Sequence, residues 1–289
     1  MKTFVGGPTQ ISPHQMRLRA LFSVERILSA RGFQIKTEGA ASQTILEKED
    51  WIWQDLELIF QIFEDLQMRL DLLRAILDPN YISGIQPVKI LTNMPEFRRD
   101  RQRFSTTFEW FVGELFIGRF GAFSSSFGVT VADLIRGSDG GTSGDYDVLS
   151  VLGDMSLLYV ECKTGKCHIS SILNSIQRSI ALHSIACIIL LESGVSKALL
   201  LQQLRGKSHP RFGTVPRLRT IATRGLLESN VYEWSGCFFI SGGTSENIEN
   251  RLRTVMRILA VYRSSVFEEI RPNPEEYGLM GYDYSEDPL

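Results

Sequence analysis

Residues 145–163, Asp-Tyr-Asp-Val-Leu-Ser-Val-Leu-Gly-Asp-Met-Ser-Leu-Leu-Tyr-Val-Glu-Cys-Lys, constrain the fold more tightly than any other stretch. Two short apolar runs, Val148 to Leu152 and Leu157 to Val160, are joined by Gly153-Asp154, a hairpin turn signal. The runs are apolar at successive positions, so both faces of each strand need cover, as in a sheet with elements packed on each side. Asp147, Glu161 and Lys163 flank these runs. Charges on segments this apolar are costly unless they are paired or bind a metal.

Register decides whether the three meet. A two-residue loop pairs Leu152 with Met155 and sets Val160 opposite Asp147. A three-residue loop, Gly153-Asp154-Met155, pairs Asp147 with Glu161 instead, and directly opposite side chains share a face. Lys163, two residues beyond Glu161, joins them. The second register, or a bulge with the same effect, is expected because it gathers all three. Mg²⁺ prefers oxygen ligands and keeps several waters, so one or two carboxylates and a substrate phosphate complete its shell. A divalent-metal site acting on phosphodiester bonds accounts for the trio. Two nearby carboxylates favour the charged form of Lys163, so it fits electrostatic stabilisation of the attack better than general-base work. Asp145 shares the face of Asp147, as a group supporting the ligands, as an alternative ligand, or as a polar strand start.

Elsewhere the pattern is helical first and mixed later. Residues 14–31 read as a helix ending at Gly32. A second helix is expected from Ser42 or Thr44, with Glu47, Glu49 and Asp50 in its first turn, where acids suit the dipole. Its apolar positions Ile52, Leu56, Ile59, Phe63, Leu66, Leu70, Leu73 and Leu77 form a heptad seam that Asp78-Pro79-Asn80 stops. Helix 44–77 is thus either the seam of a coiled-coil homodimer or a helix packed within its own chain. Leu58, Phe60 and Ile62 widen its apolar face.

Pro87, Pro95 and the cluster Arg98, Arg99, Arg101 and Arg103 mark a domain boundary. From there Phe104, Phe108, Phe111, Val112 and Leu115 make one helical stripe. Residues 127–135 read as a strand and Gly137–Gly144 as a glycine loop. Ser170–His183 is an amphipathic helix, Ile185–Leu191 a buried strand, Lys197–Leu204 a short helix and Phe238–Ser241 a strand. A long helix, Glu246–Tyr262, is capped by Thr244. The fold class is α/β, a mixed central sheet flanked by helices. The expected domains are a helical N-terminal region over 1–100, a catalytic domain over 101–270 and an acidic tail over 271–289.

These residues resemble the PD-(D/E)XK nuclease superfamily, the restriction-endonuclease-like fold. Gly144-Asp145-Tyr146-Asp147-Val148-Leu149 and Val160-Glu161-Cys162-Lys163-Thr164-Gly165 carry the resemblance, with tyrosine where the family often has proline before the metal-binding Asp. It covers roughly 104–262 by element order and does not reach the helical N-terminal region. The resemblance implies cleavage of DNA, less often RNA, with Mg²⁺ or Mn²⁺. It also implies a glutamate on a preceding helix. Glu109, after Phe108, matches the Mrr-type pattern and would join Asp147 and Glu161 on the metal, with Glu114 as the alternative. Family members place polar residues on the helix after the third motif; Asn174, Gln177 and Arg178 are available, and Gln177 is expected to face the site. Some members have lost activity, which leaves a non-catalytic nucleic-acid-binding or scaffold protein, or an RNA-directed or ligand-activated nuclease, as the alternatives.

A formal net charge of -2 means that any nucleic acid must be held by local patches. No acidic residue falls between Glu192 and Glu228, while Lys197, Arg205, Lys207, Arg211, Arg217, Arg219 and Arg224 do. This interval is the expected phosphate-contacting region, and Arg98–Arg103 is a smaller one. Thr164-Gly165-Lys166 lacks the upstream glycine of a phosphate-binding loop, and the histidines lack zinc spacing. Scattered cysteines, no apolar run of about 20 residues and an N-terminus broken by Gly-Gly-Pro point to a cytoplasmic protein with no membrane contact. The expectation is an Mg²⁺-dependent deoxyribonuclease, an endonuclease serving restriction, repair or defence.

Overall fold

The computed structural model describes residues 22–48, 52–135, 145–164, 168–191, 197–205, 219–221, 231–234, 236–241 and 248–267. The expected glycine loop, the Thr244 cap, the acidic tail and residues 14–21 lie outside them. The chain divides into two compact units, Met1–Cys162 with Gln177–Ile185, and Lys163–Ile176 with Ala186–Leu289. Position 100 falls inside the first unit. Strands of mixed direction flanked by helices make the chain α/β. Among the described residues no helix is long and apolar enough to cross a membrane.

The first unit opens with α1 (Val24–Ala30), whose N-cap Ser23 accepts from the Arg26 amide. The helix expected from residue 14 is therefore not continuous through Phe22 and Ser23. Strand β1 (Phe33–Thr37) follows, in a region expected to be helical. It pairs antiparallel with β2 (Ser124–Asp133), Phe33 opposite Asp133 and Thr37 opposite Thr130, with a bulge between Ile35 and Thr37. β2 pairs antiparallel with β3 (Asp145–Val151), and β3 with β4 (Leu157–Lys163). Every residue of β4 up to Cys162 is buried, as two apolar faces require. Arg31, just past α1, donates to Leu182 O at 2.7 Å and His183 O at 3.1 Å.

The expected helix 44–77 is two helices, α2 (Trp53–Glu64) and α3 (Leu66–Leu77), after a 3-10 turn at Ala41–Gln43. Asp65 has extended backbone between them and its Oδ1 caps the Met68 amide at 2.8 Å. Arg69, 3% exposed, turns its guanidinium back onto Phe63 O, a carbonyl that a continuous helix would bond to the Gln67 amide. A buried arginine thus replaces the missing helical bond. The heptad seam is interrupted, and Ile52, Leu70 and Leu77 on it are 58%, 44% and 60% exposed. These helices pack inside their own unit instead. α4 (Gln86–Thr92) lies against both of them, and the Phe60 and Phe63 rings of α2 pack against those of Phe104, Phe108 and Phe111 of α5 (Arg101–Arg119). The apolar stripe of α5 is fully buried, as its spacing predicts.

In the second unit α6 (Ile169–Ala181), which also reaches into the first, leads to β5 (Cys187–Leu191) and α7 (Lys197–Leu204). β6 (Arg219–Ile221), β7 (Val231–Trp234) and β8 (Cys237–Ser241) follow, and α8 (Ile248–Phe267) packs on β8. β5 and β8 are parallel, while β8–β7 and β7–β6 are antiparallel. β7 was not anticipated; Val-Tyr-Glu-Trp followed by Ser-Gly and Cys-Phe-Phe is a hairpin signal that identifies it.

Met155 holds φ 64° in the β3–β4 loop and is 50% exposed. Met155→Gly should therefore raise stability by up to about 1 kcal/mol, read as a higher urea midpoint; a lower midpoint contradicts strain there. Glu47 accepts from Arg98 Nε at 2.6 Å and Arg103 Nη2 at 3.3 Å. The Arg98 hydrogen bond, then the two positive charges, hold its carboxyl below the usual glutamate range. A depressed native pKa adds stability above the unfolded value and loses it as pH falls through the native one. Glu47→Gln should be less stable than wild type at neutral pH, and the gap in urea midpoints should close on acidification.

Candidate functional site

The β3–β4 hairpin takes the three-residue loop. Val151 pairs with Leu157, Ser150 with Leu158, Leu149 with Tyr159 and Val148 with Val160. Met155 N donates to Leu152 O at 2.9 Å, and Leu152 N to Ser156 O at 2.9 Å. This is a tight turn followed by one left-handed residue. The last ladder pair is Val148–Val160, and Asp147 and Glu161 are the next residues on the two strands. There the Asp147 carboxylate replaces the ladder: its Oδ2 accepts from Cys162 N at 2.7 Å. The Asp147 carboxylate thus lies against the peptide bond that follows Glu161. Lys163 ends β4 two residues on, half-buried.

Glu161 is 3% exposed. Its Oε2 accepts from the Tyr159 hydroxyl. Tyr159 sits two residues earlier on the strand, packed edge-on against Tyr146 with ring centroids 5.2 Å apart. Arg178, on α6, donates to Asp145 O at 3.1 Å and stands 5.9 Å from the centroid of the Tyr146 ring. Partial burial works against its charge, but the neighbouring Tyr159 hydroxyl and the negative charge of Glu161 outweigh this and hold the guanidinium more firmly protonated. Burial likewise pushes the Tyr146 phenol well above its ordinary range.

Glu109 approaches from α5. Its Oε2 is 3.8 Å from the place a Cβ on Gly128 would occupy. Gly128 falls between the pairs Phe127–Val148 and Val129–Tyr146, so it neighbours Asp147 across β2 and β3. Its φ of +54° is left-handed, and its Cα-side surface packs on the Gly39 backbone. Glu109 is half-buried there, while Glu114, on the same helix, is buried. Asp145 has another occupation: Thr37 donates to Thr130 at 2.7 Å and Thr130 to Asp145 Oδ1 at 2.9 Å, a hydroxyl chain across three strands. It is a polar strand start.

Asn174 and Gln177 are exposed, whereas Arg178 is the α6 residue that turns to the site. Among the described residues no group of three or more His, Cys, Asp and Glu is gathered to hold a metal ion. Glu109 is therefore not drawn into one cluster with Asp147 and Glu161. Two hard oxygen donors on adjoining strands still match what Mg²⁺ asks of a protein, since waters and substrate supply the rest.

Of the basic residues expected to meet phosphate, Arg205 is exposed and Arg219 lies in β6; Lys207, Arg211, Arg217 and Arg224 fall outside the described residues. The smaller patch is largely committed to structure. Arg98 and Arg103 hold Glu47, Arg103 also donates to Ser42 O and Thr44 O, and Arg99 donates to Ala75 O.

A side chain at Gly128 must adopt a left-handed backbone beside Glu109. Gly128→Ala should cost about 1–2 kcal/mol, measured by urea unfolding; no loss of stability contradicts the strained turn. No protein-family model matches this chain, and no curated protein sequence matches it.

Proposed function

We propose that this chain is an Mg²⁺-dependent nuclease that hydrolyses phosphodiester bonds in DNA, with Mn²⁺ as a substitute. The observation that carries the reading is the register Val148–Val160, which brings the Asp147 carboxylate onto the amide after Glu161 and leaves Lys163 next along the strand. Asp147 and Glu161 would hold the cation. Bound there, a divalent cation polarises a phosphoryl oxygen and lowers the pKa of water. Lys163 would stabilise the hydroxide that attacks and the charge gathering on phosphorus. The buried hairpin restricts water around Glu161, which strengthens these interactions. Contacts to the phosphate backbone come from the basic interval around Arg205 and Arg219. Endonuclease action is the form proposed, because a two-fold pair would set one site on each strand.

A second reading has its own support. Both acids already have hydrogen-bond donors from the protein, Cys162 N on Asp147 and Tyr159 on Glu161. A nucleic-acid-binding protein that keeps the fold without cutting would need no more.

Incubation of supercoiled plasmid, linear duplex, single-stranded DNA and RNA with Mg²⁺ or Mn²⁺ separates the two. Wild type should nick DNA only with metal, and Lys163→Ala or Asp147→Ala should lose about 10²-fold or more. Binding of DNA with no cleavage in either metal supports the non-catalytic protein instead. Preferential RNA cleavage overturns the choice of substrate.

A further inference from the structure

Tyr159 spends a hydroxyl where 0% of the residue meets solvent. A phenylalanine would fill the same volume without the cost of burying a polar group. The hydroxyl is instead the middle of a directed chain. The Asp145 carbonyl accepts from Arg178 at 3.1 Å and so fixes the guanidinium. Arg178 also interacts with the Tyr159 side chain, and Tyr159 in turn donates to Glu161 Oε2. The Tyr159 ring is locked against Tyr146, 5.2 Å away and inclined by 65°. Tyr159, Glu161, Asp145, Tyr146 and Arg178 all belong to the first compact unit.

The last torsion of a glutamate is broad, so a carboxylate with nothing to hold it samples many planes. A hydrogen bond to one oxygen selects one plane before any ligand arrives. Partners outside a metal's own ligand shell set ligand orientation in this way, and their loss weakens metal affinity about 10–100-fold.

We propose that Tyr159, itself anchored by Arg178, is a positioning residue that fixes the Glu161 carboxylate in the orientation that takes a divalent cation. This rests on the metal-dependent nuclease reading above. Tyr159 touches neither substrate nor reacting atoms. Its effect is on how much cation is needed, not on the chemical step once the cation is bound.

The test is calorimetric titration of Mn²⁺ into the full chain without DNA, for wild type, Tyr159→Phe and Arg178→Lys, with metal-free melting of each. Cleavage against Mn²⁺ concentration is the second readout. Tyr159→Phe should weaken the Mn²⁺ Kd about 10-fold or more, and its cleavage rate at saturating Mn²⁺ should return to within about 3-fold of wild type. Arg178→Lys keeps the charge but loses the planar fork, and should weaken the Kd in the same direction. A merely structural role would lower the melting temperature and leave both metal dependences alone. Wild-type Kd in both variants, or tighter binding in Tyr159→Phe, overturns the proposal while leaving the nuclease reading intact. If Tyr159→Phe does not fold, Arg178→Lys decides on the same criterion. Wild type that neither takes up Mn²⁺ nor cleaves DNA overturns the nuclease reading, and this inference with it.

Discussion

An acid with 3% of its surface exposed has to be compensated before the strands around it can close. Glu161 meets that requirement with the Tyr159 hydroxyl and the nearby Arg178 charge, and the consequences spread outward. Arg178 is itself held by the Asp145 carbonyl. Asp145 is in turn held by Thr130 and Thr37, which ties β1, β2 and β3 to the same point. One buried charge therefore coordinates three strands and a helix. Asp147 solves a related problem where β3 and β4 part: it gives the Cys162 amide the acceptor that a continued ladder would have supplied.

The parts legible from the amino-acid sequence are those in which a local rule met no competitor. Two apolar runs with Gly153-Asp154-Met155 between them left a choice of two registers, and the need to gather charges selected the one found. The stripe on α5 and the spans of α6, α7 and β5 followed from periodicity and length. The break at Asp65 was not legible, because the heptad pattern runs straight through it. At the break Asp65 is extended and caps the next helix, and the Arg69 side chain bonds the Phe63 carbonyl, features that apolar spacing does not weigh. β1 was hidden by its mixed exposure, with only Phe33 buried along it. Of the polar candidates on α6, Arg178 reaches the Asp145 carbonyl and Gln177 is exposed. Tyr159 was open to detection, since period two places it on the side of Glu161.

The arginines show why a cluster in sequence is a poor measure of a field in space. Arg98, Arg99 and Arg103 look like a basic patch, yet Glu47 and backbone carbonyls absorb them into the joint between the early helices and α5. Their exposed neighbour Arg101 is what remains available there.

Arg31 gives the first unit an unusual tie. Its guanidinium, at the end of α1, caps the carbonyls of Leu182 and His183 just past α6, a separation of 151 and 152 positions along the chain. The helix that carries Arg178 is thereby fastened just past its last turn, the turn that holds Arg178, by a residue made early in synthesis. A chain shortened beyond residue 31, or nicked between β1 and α2, would loosen that fastening from a distance. Damage at the amino-terminal side would then register at the acidic hairpin without touching any residue in it.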